Sequence, residues 1–157
     1  GGPVIQRIAE TGDPKAFDFP RPMINSASFD FSFSGLKTAV LYTLRDIQKL
    51  TAETKRNIAA SFEQAAVDVL VAKTVRAAQE HRVKTVMIGG GVAANEKLRV
   101  ELGTALVKQY PSAQYLVPNP SLTGDNALMI ALAGWFNRKK KSAWRSVQAD
   151  ANLRLDG

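Results

Sequence analysis

A glycine-rich turn between an apolar run and a helical pattern is the first place in the sequence where a ligand could bind. Gly89, Gly90 and Gly91 are consecutive, and Asn95 follows at the start of the predicted helix. Glycines let a ligand approach the backbone, and the exposed N–H groups at a helix start favour anionic or polar groups. The Asn95 amide adds a donor and an acceptor for a purine or ribose edge. The alternative is a tight turn in which Asn95 is an ordinary helix cap.

Asp125 is the second candidate, because its carboxylate precedes the last apolar helix and can bind a hard or borderline metal. In open α/β sheets, ligands bind beyond the carboxyl ends of the strands, so this turn and the glycine-rich turn can open onto one crevice. The alternative is that Asp125 caps the helix or favours its positive N-terminal end.

The other reactive side chains give weaker indications. Ser34 and Lys37 have neither a histidine nor a second lysine near them in the sequence, so a nucleophile is not indicated. The single histidine, His81, excludes a self-contained site of two or three histidines, and we expect it on the surface at a helix end. The chain has no cysteine, which excludes disulfides and thiolate metal sites and fits a reducing cytoplasm.

The composition predicts one packed domain with a basic end. Of the 157 residues, 45% are apolar and 22% are charged, and no apolar run approaches the roughly 18 residues that span a bilayer. The net charge is +7, and residues 138–157 hold six basic and two acidic residues. This segment suits a polyanion such as RNA, or it is a solvated tail that keeps the protein soluble.

The hydrophobic periodicity predicts an α/β domain with three strands and five helices. Phe29, Phe31 and Phe33 alternate with polar residues, which indicates a half-buried strand whose rings pack in the core. Residues 11–27 hold three prolines and a glycine, which predict an ordered loop. The predicted strands cover residues 29–33, 85–88 and 115–117. The predicted helices cover residues 4–9, 36–50, 52–81, 95–108 and 125–137.

These elements imply a layered architecture. A strand, a helix and a strand over residues 85–117 form a parallel crossover unit. The helices over residues 36–81, the second of them capped by Thr51, are expected to cover one face of the sheet. The last helix, at residues 125–137, is almost wholly apolar, so we expect it to be buried.

Four ordered segments resemble one family, the tRNA adenosine threonylcarbamoyltransferases, formerly catalogued as O-sialoglycoprotein endopeptidases or glycoproteases. The resemblance covers about residues 1–137, and the stretch from Ser32 to Thr38 looks like the bacterial branch. The four segments are Gly1-Gly2-Pro3, Asp30 to Thr38, Gly89 to Asn95 followed by Leu98-Arg99, and Asp125 to Ala131.

The resemblance implies an α/β fold of the actin-like, sugar-kinase-like class (ASKHA, ribonuclease H-like), in which two lobes close over an adenine nucleotide. Each lobe has a mixed sheet flanked by helices. Residues 1–137 would form the C-terminal lobe, and residues 138–157 a basic C-terminal tail.

The resemblance also implies roles for particular residues. Gly2 and Asn95 match positions that contact the nucleoside, the backbone of residues 89–91 would lie close to it, and Gln6 matches a position that faces the ribose. Asp125 matches the metal-binding aspartate, although the two residues before it differ from the cysteine-threonine that the family often has. Two metal-binding histidines and a further nucleoside-binding aspartate would lie upstream of this chain.

The implied activity of the intact protein is tRNA modification. It would transfer a threonylcarbamoyl group from threonylcarbamoyl-AMP to the exocyclic amine of the adenosine next to the tRNA anticodon, using one divalent metal, iron or zinc. Its implied partners are tRNA, an actin-like paralogous subunit and a small ATPase subunit, in the cytoplasm and without a membrane. This chain alone would be inactive.

Two other functions remain open from the sequence. One is a non-catalytic actin-like partner subunit of the same complex, against which the presence of Asn95 and Asp125 counts. The other is a metallo-endopeptidase of the glycoprotease type. The sequence supports that activity poorly, since it has neither a histidine pair bracketing a glutamate nor a nucleophile with a base.

Overall fold

The computed structural model describes residues 2–140, 145 and 148. Two compact units divide the chain, residues 1–124 and residues 125–157. Most of the predicted basic tail, at residues 138–157, lies outside the described residues. The helices are α1 (Gly2–Ala9), α2 (Ser34–Asp46), α3 (Ala52–Glu80), α4 (Glu96–Gln109) and α5 (Ala127–Phe136). The strands are β1 (Thr85–Met87) and β2 (Gln114–Leu116), and Gly91–Ala94 and Pro120–Leu122 are short 3-10 turns.

The predicted parallel crossover unit is confirmed. Strands β1 and β2 pair in parallel, with Val86 opposite Tyr115, and α4 connects them. One core lies where this unit meets α3: Leu102 and Leu106 of α4 pack with Val86 of β1 and with residues of α3. The first unit is therefore an α/β arrangement with a small parallel sheet.

Helix α3 is the central element of the first unit. Thr51 caps it as predicted, since the side-chain oxygen accepts a hydrogen bond from the Thr54 N–H at 3.1 Å. Ile58 and Ala65 of α3 enter a second core with Leu36 of α2. The 29-residue helix thus contributes to both cores.

Helix α1 packs closely on α3 because the residues between them are small. Ala9 of α1 and the pair Ala59 and Ala60 of α3 form a buried cluster. The chain then turns at Gly12, where a Cβ atom would overlap the Arg56 carbonyl. Glycine is therefore required for the close backbone approach at this turn.

The prediction of a strand at residues 29–33 is wrong. This segment is irregular in the structure, and so is the predicted loop of residues 11–27. The Asp30 carbonyl, which a strand would offer to a neighbouring strand, is taken by a cation: it accepts from Lys73 Nζ of α3 at 2.6 Å. The Ser28 carbonyl, just before the segment, accepts from the same Nζ atom at 3.0 Å. The expectation that the rings pack in the core holds for Phe33, which packs against the core shared by α2 and α3, but not for Phe31, which is 47% exposed.

Lys73 and Arg76, with the carbonyls they bind, form what we call the cation clamp. Lys73 is only 1% exposed, and its ammonium also donates to Ser26 Oγ at 2.9 Å. Arg76 donates to the carbonyl oxygens of Ile24, Ser26 and Ser28 at 3.3, 2.7 and 3.1 Å. A charge buried in this way is tolerated because polar acceptors replace its water shell.

Two helix predictions need correction. Helix α2 ends at Asp46 rather than near Leu50. Helix α5 was expected to be buried, but none of its residues is buried, and Trp135 and Phe136 are 62% and 78% exposed. The composition of α5 favours burial, but the described residues of its own unit do not cover it. None of the described helices is both long and apolar enough to cross a membrane.

Tyr115 on β2 carries a buried hydroxyl oxygen that has no hydrogen-bond partner among the described residues. Its ring lies against α4 at Gly103, where an added Cβ would come within 3.2 Å of it. Burial raises the pKa of Tyr115 above its ordinary value of 10.0, and the charge of Arg99 partly opposes that rise.

We expect Tyr115→Phe to raise the free energy of unfolding by about 1 kcal/mol at neutral pH, because it removes a buried hydroxyl for which the described residues provide no partner. The raised pKa of Tyr115 also makes the free energy of unfolding depend on pH in the alkaline range. Above the ordinary pKa the unfolded tyrosine ionises first, so the wild type loses stability as the pH rises through the folded pKa, and the variant lacks this loss. Urea unfolding at several pH values measures both effects. Equal stability of the two proteins at neutral pH would contradict the first effect, and an equal alkaline loss would contradict the second.

Lys73→Met should lower the free energy of unfolding by about 2 to 3 kcal/mol, because it keeps the side-chain bulk but removes the ammonium that binds two carbonyls and a hydroxyl. Lys55→Met, at an exposed lysine of the same helix, is the control and should change it by less than about 0.5 kcal/mol. Denaturant unfolding followed by circular dichroism measures the difference. Equal effects of the two changes would show that the cation clamp does not stabilise the fold.

Candidate functional site

Three of the predicted nucleoside-contacting residues line one cavity. Gly2 and Gln6 come from α1, and Asn95 stands at the start of α4. The cavity measures about 150 Å³, and α3 contributes the largest share of its wall. Its other lining residues are Ile5, Phe62, Glu63, Ala66, Val67, Leu70, Val92 and Leu98. The structure therefore places polar groups from α1 and α4 around a mostly apolar wall, the usual composition of a small-molecule site.

Asn95 is held at both ends of its side-chain amide. Its Oδ1 atom accepts a hydrogen bond from the Leu98 N–H at 2.8 Å, which makes it the cap of α4. Its Nδ2 atom donates to Glu63 Oε1 of α3 at 2.7 Å. The capping alternative is thus confirmed. These two bonds use one N–H and one lone pair of an amide that has two of each, so the nucleoside role is compatible with capping.

A second cavity, of about 490 Å³, shares Gln6 and Glu63 with the first. Its charged lining residues are Glu10, Glu63, Glu96, Lys97 and Glu101. Lys97 Nζ lies 3.2 Å from Glu101 Oε1, so one of the four carboxylates is paired with the lysine. Because negative charge prevails, this cavity favours cations and N–H donors and disfavours a phosphate group.

The three glycines of the turn do not line either cavity. Gly89, Gly90 and Gly91 are exposed, and an added Cβ would meet nothing within 4 Å at any of them. Gly90 alone needs to be glycine for its backbone, since its φ of 73° and ψ of −179° lie in a region that side chains exclude. The closeness of this turn to a ligand remains a prediction.

Asp125 lies in the second unit and is exposed. The alternative that it caps α5 is wrong, because the cap is Asn126, whose Oδ1 accepts a hydrogen bond from the Met129 N–H at 3.0 Å. An exposed carboxylate of this kind suits one coordination position of a divalent metal, which needs several ligands. Within the described part of the chain, no three His, Cys, Asp or Glu residues could hold a metal together. These residues therefore do not form a metal site by themselves.

His81 is placed as predicted, at the exposed C-terminal end of α3. Its ring lies 5.5 Å from that of Phe29, so the histidine packs against the irregular segment.

Glu63 is the residue of the candidate site that the sequence did not reveal. It is separated from Asn95 by 32 positions, and a glutamate within a long helix has no feature that distinguishes it from a solvated one.

The described residues thus define an α/β protein with a small, mostly apolar cavity that holds a few polar groups. Comparison with known proteins gives the family. The family model described as tRNA N6-adenosine threonylcarbamoyltransferase matches residues 1–132. The chain therefore belongs to the tRNA N6-adenosine threonylcarbamoyltransferase family, as the four sequence segments predicted.

Several relatives carry that same name. The Thermosipho africanus protein is 44% identical over 156 residues, which are 99% of this chain and 46% of that protein. The Geobacillus kaustophilus protein is 49% identical over 157 residues, covering 99% of this chain and 45% of that protein. The Desulfotalea psychrophila protein is 49% identical over 139 residues, with coverages of 86% and 40%. The chain spans a little under half the length of these relatives.

Gly90→Ala should lower the free energy of unfolding by about 1 to 3 kcal/mol, because a side chain forces this backbone out of a region that is nearly exclusive to glycine. Gly89→Ala has the same open surroundings and no positive φ. It is the matched control and should change the stability by less than about 0.5 kcal/mol. Thermal unfolding of both variants gives the comparison, and equal shifts would show that the conformation of Gly90 is not what restricts this turn.

Proposed function

We propose that the intact protein transfers a threonylcarbamoyl group from threonylcarbamoyl-AMP to the exocyclic amine of the adenosine next to the tRNA anticodon. The observation that carries this proposal is the meeting of Gly2, Gln6 and Asn95 at one cavity, in a chain that belongs to the threonylcarbamoyltransferase family. The chain spans less than half of its relatives. It therefore supplies one part of the site, and we expect it to be inactive alone.

The fold proposal is that residues 1–137 are the C-terminal lobe of an actin-like protein and residues 138–157 a basic tail. The parallel pairing of β1 and β2, with helices packed on them, is compatible with part of a larger mixed sheet. Two strands make a small sheet, and strands from the rest of the intact protein would extend it. The adenine nucleotide would lie between this lobe and the other one.

Recognition of the nucleoside is assigned to the cavity that contains Asn95. Its amide, together with that of Gln6, offers donors and acceptors to the purine or the ribose, and Gly2 leaves room because it has no side chain. The neighbouring acidic cavity repels a phosphate, so we place the phosphate of the donor away from Glu10 and Glu96, towards the backbone of residues 89–91.

The metal proposal is that Asp125 provides one ligand to a divalent ion, iron or zinc, whose other ligands lie outside this chain. When bound, such a metal polarises a carbonyl group or orients the donor. The exposed carboxylate, which does not cap α5, is compatible with this role. Closure of the two lobes would exclude water that otherwise hydrolyses the mixed anhydride of the donor.

The partner proposal rests on charge and on the family. A net charge of +7, with a basic excess over residues 138–157, favours association with tRNA, since each phosphate contact releases counterions. An actin-like paralogous subunit and a small ATPase subunit would complete the complex in the cytoplasm. If this protein is a non-catalytic subunit, Asp125→Ala should leave the turnover of the complex unchanged, so the assay of tRNA modification below also distinguishes these functions.

In the intact protein, Asn95→Ala and Asp125→Ala should give different signatures. Asn95→Ala removes neutral hydrogen bonds worth about 0.5 to 1.5 kcal/mol each, so the Kd of the donor should rise roughly 2- to 13-fold. Asp125→Ala removes a charged metal ligand, so it should lower the turnover of tRNA modification and the metal content far more than the donor affinity. Calorimetry, metal analysis and a tRNA assay measure these quantities.

Measuring both stability and donor affinity separates the loss of a helix cap from the loss of a ligand contact. Asn95→Ala should also cost about 1 kcal/mol of stability, because Asn95 caps α4. Asn119→Ala removes another Asn cap, outside the residues that line the cavity with Asn95, and should leave donor affinity unchanged. A normal metal content and turnover in Asp125→Ala, or unchanged donor affinity in Asn95→Ala, would refute the corresponding assignment.

A further inference from the structure

The carboxylate of Glu63 connects α3 to the first turn of α4 through the side chain of Asn95. The Asn95 Nδ2 atom donates to Glu63 Oε1 at 2.7 Å, while Oδ1 accepts from the Leu98 N–H at 2.8 Å. Both bonds are short, and the first is charge-assisted. A flip of the amide would set its oxygen against the Glu63 carboxylate and its NH₂ group against the Leu98 N–H. The two partners therefore admit a single orientation of the amide.

Glu63 is well placed to hold this orientation. It is half-buried, lies within the 29-residue helix α3, and lines both cavities. The residues on either side of it in the helix pack on the interior: Ser61 is fully buried, Phe62 packs on the core, and Ala65 is fully buried. A side chain supported by such a rigid element keeps its position better than one on a loop.

We propose that Glu63 is a positioning residue for nucleoside binding, which holds the Asn95 amide in the orientation that presents its remaining N–H and lone pair to the ligand. The inference rests on the function proposed above, because it takes Asn95 as a nucleoside-contacting residue. Without Glu63 the amide retains only its capping bond, so its NH₂ end loses its partner and the amide plane can tilt. Ligand binding must then order that group, and this cost weakens the affinity.

The test uses the intact protein with AMP as the probe, since AMP carries the nucleoside without the reactive acyl group. Glu63→Met keeps the length of the side chain but removes the acceptor, so the Kd for AMP should rise roughly 2- to 10-fold. Glu63→Gln keeps a carbonyl oxygen for the Asn95 N–H and should restore the affinity to within about twofold of the wild type. If Glu63 acted only through its negative charge, the uncharged glutamine would not restore the affinity for AMP.

Gln64→Ala is the matched control. Gln64 is the next residue of α3 and also bridges to α4, through Glu101 at 3.2 Å, but it does not bond to Asn95. Its loss should leave the Kd for AMP unchanged. In turnover assays, Glu63→Met should raise the KM for threonylcarbamoyl-AMP and keep kcat, because Glu63 is not assigned to the reacting groups. If Glu63→Met does not fold, Glu63→Ala takes its place in both measurements.

The double variant separates the positioning role from the site itself. If Glu63 acts through Asn95, Glu63→Met should add no further loss of AMP affinity to that of Asn95→Ala. Full additivity, or wild-type affinity in Glu63→Met, overturns the positioning role while the nucleoside site stands. Unchanged AMP affinity in Asn95→Ala overturns the nucleoside assignment and the positioning role with it.

Discussion

The first unit depends on polar side chains of α3 that bind the backbone of the long irregular segment before α2. The segment has no ladder of its own, and buried or half-buried backbone groups need partners. Ser61 Oγ donates to the Asp13 carbonyl and accepts from the Phe17 N–H, both at 3.1 Å. The cation clamp binds the carbonyls further along the segment. A single helix therefore organises this whole segment by hydrogen bonds to main-chain atoms, and the phenylalanines of the segment add packing to this frame.

The sequence predicted the fold where structure is decided by neighbours along the chain. Helices α3 and α4, both of their caps and the parallel crossover all follow from periodicity and capping residues within a few positions. The prediction of a strand at residues 29–33 failed because a contact from a distant part of the chain determines the conformation of this backbone. The competing interaction came from Lys73, more than forty positions away. A buried lysine has the same appearance in the sequence as a solvated one, so only the tertiary contact distinguishes the two.

The site was predictable to the same extent. Gly2, Gln6 and Asn95 were expected from the family resemblance, and the structure places them at one cavity through the packing of α1 on α3 and the bridge from α3 to Asn95. Glu63 was missed because its bond to Asn95 is a contact between distant segments, for which the sequence has no local pattern. For Asp125, the alternative role as a helix cap depended on the exact residue at which α5 begins. The helix begins one residue later than that role requires, so Asn126 is the cap instead. Boundaries at this scale are the weakest part of any pattern-based argument.

Asn95 connects the stability of the protein to the proposed binding of its ligand. The amide oxygen caps α4, and one N–H donates to Glu63. In the proposed function, the second N–H and the second lone pair of the oxygen face the nucleoside. A group with its orientation fixed before binding loses little entropy when the ligand arrives. The same arrangement restricts substitution, because a replacement must cap the helix, donate to a carboxylate and still offer a donor. Serine and aspartate cap helices well, but an aspartate would oppose the charge of Glu63, and the short hydroxyl of serine cannot replace both ends of the amide. In the proposed function, the combination of the three contacts therefore favours asparagine at this position, since capping alone would accept several residues.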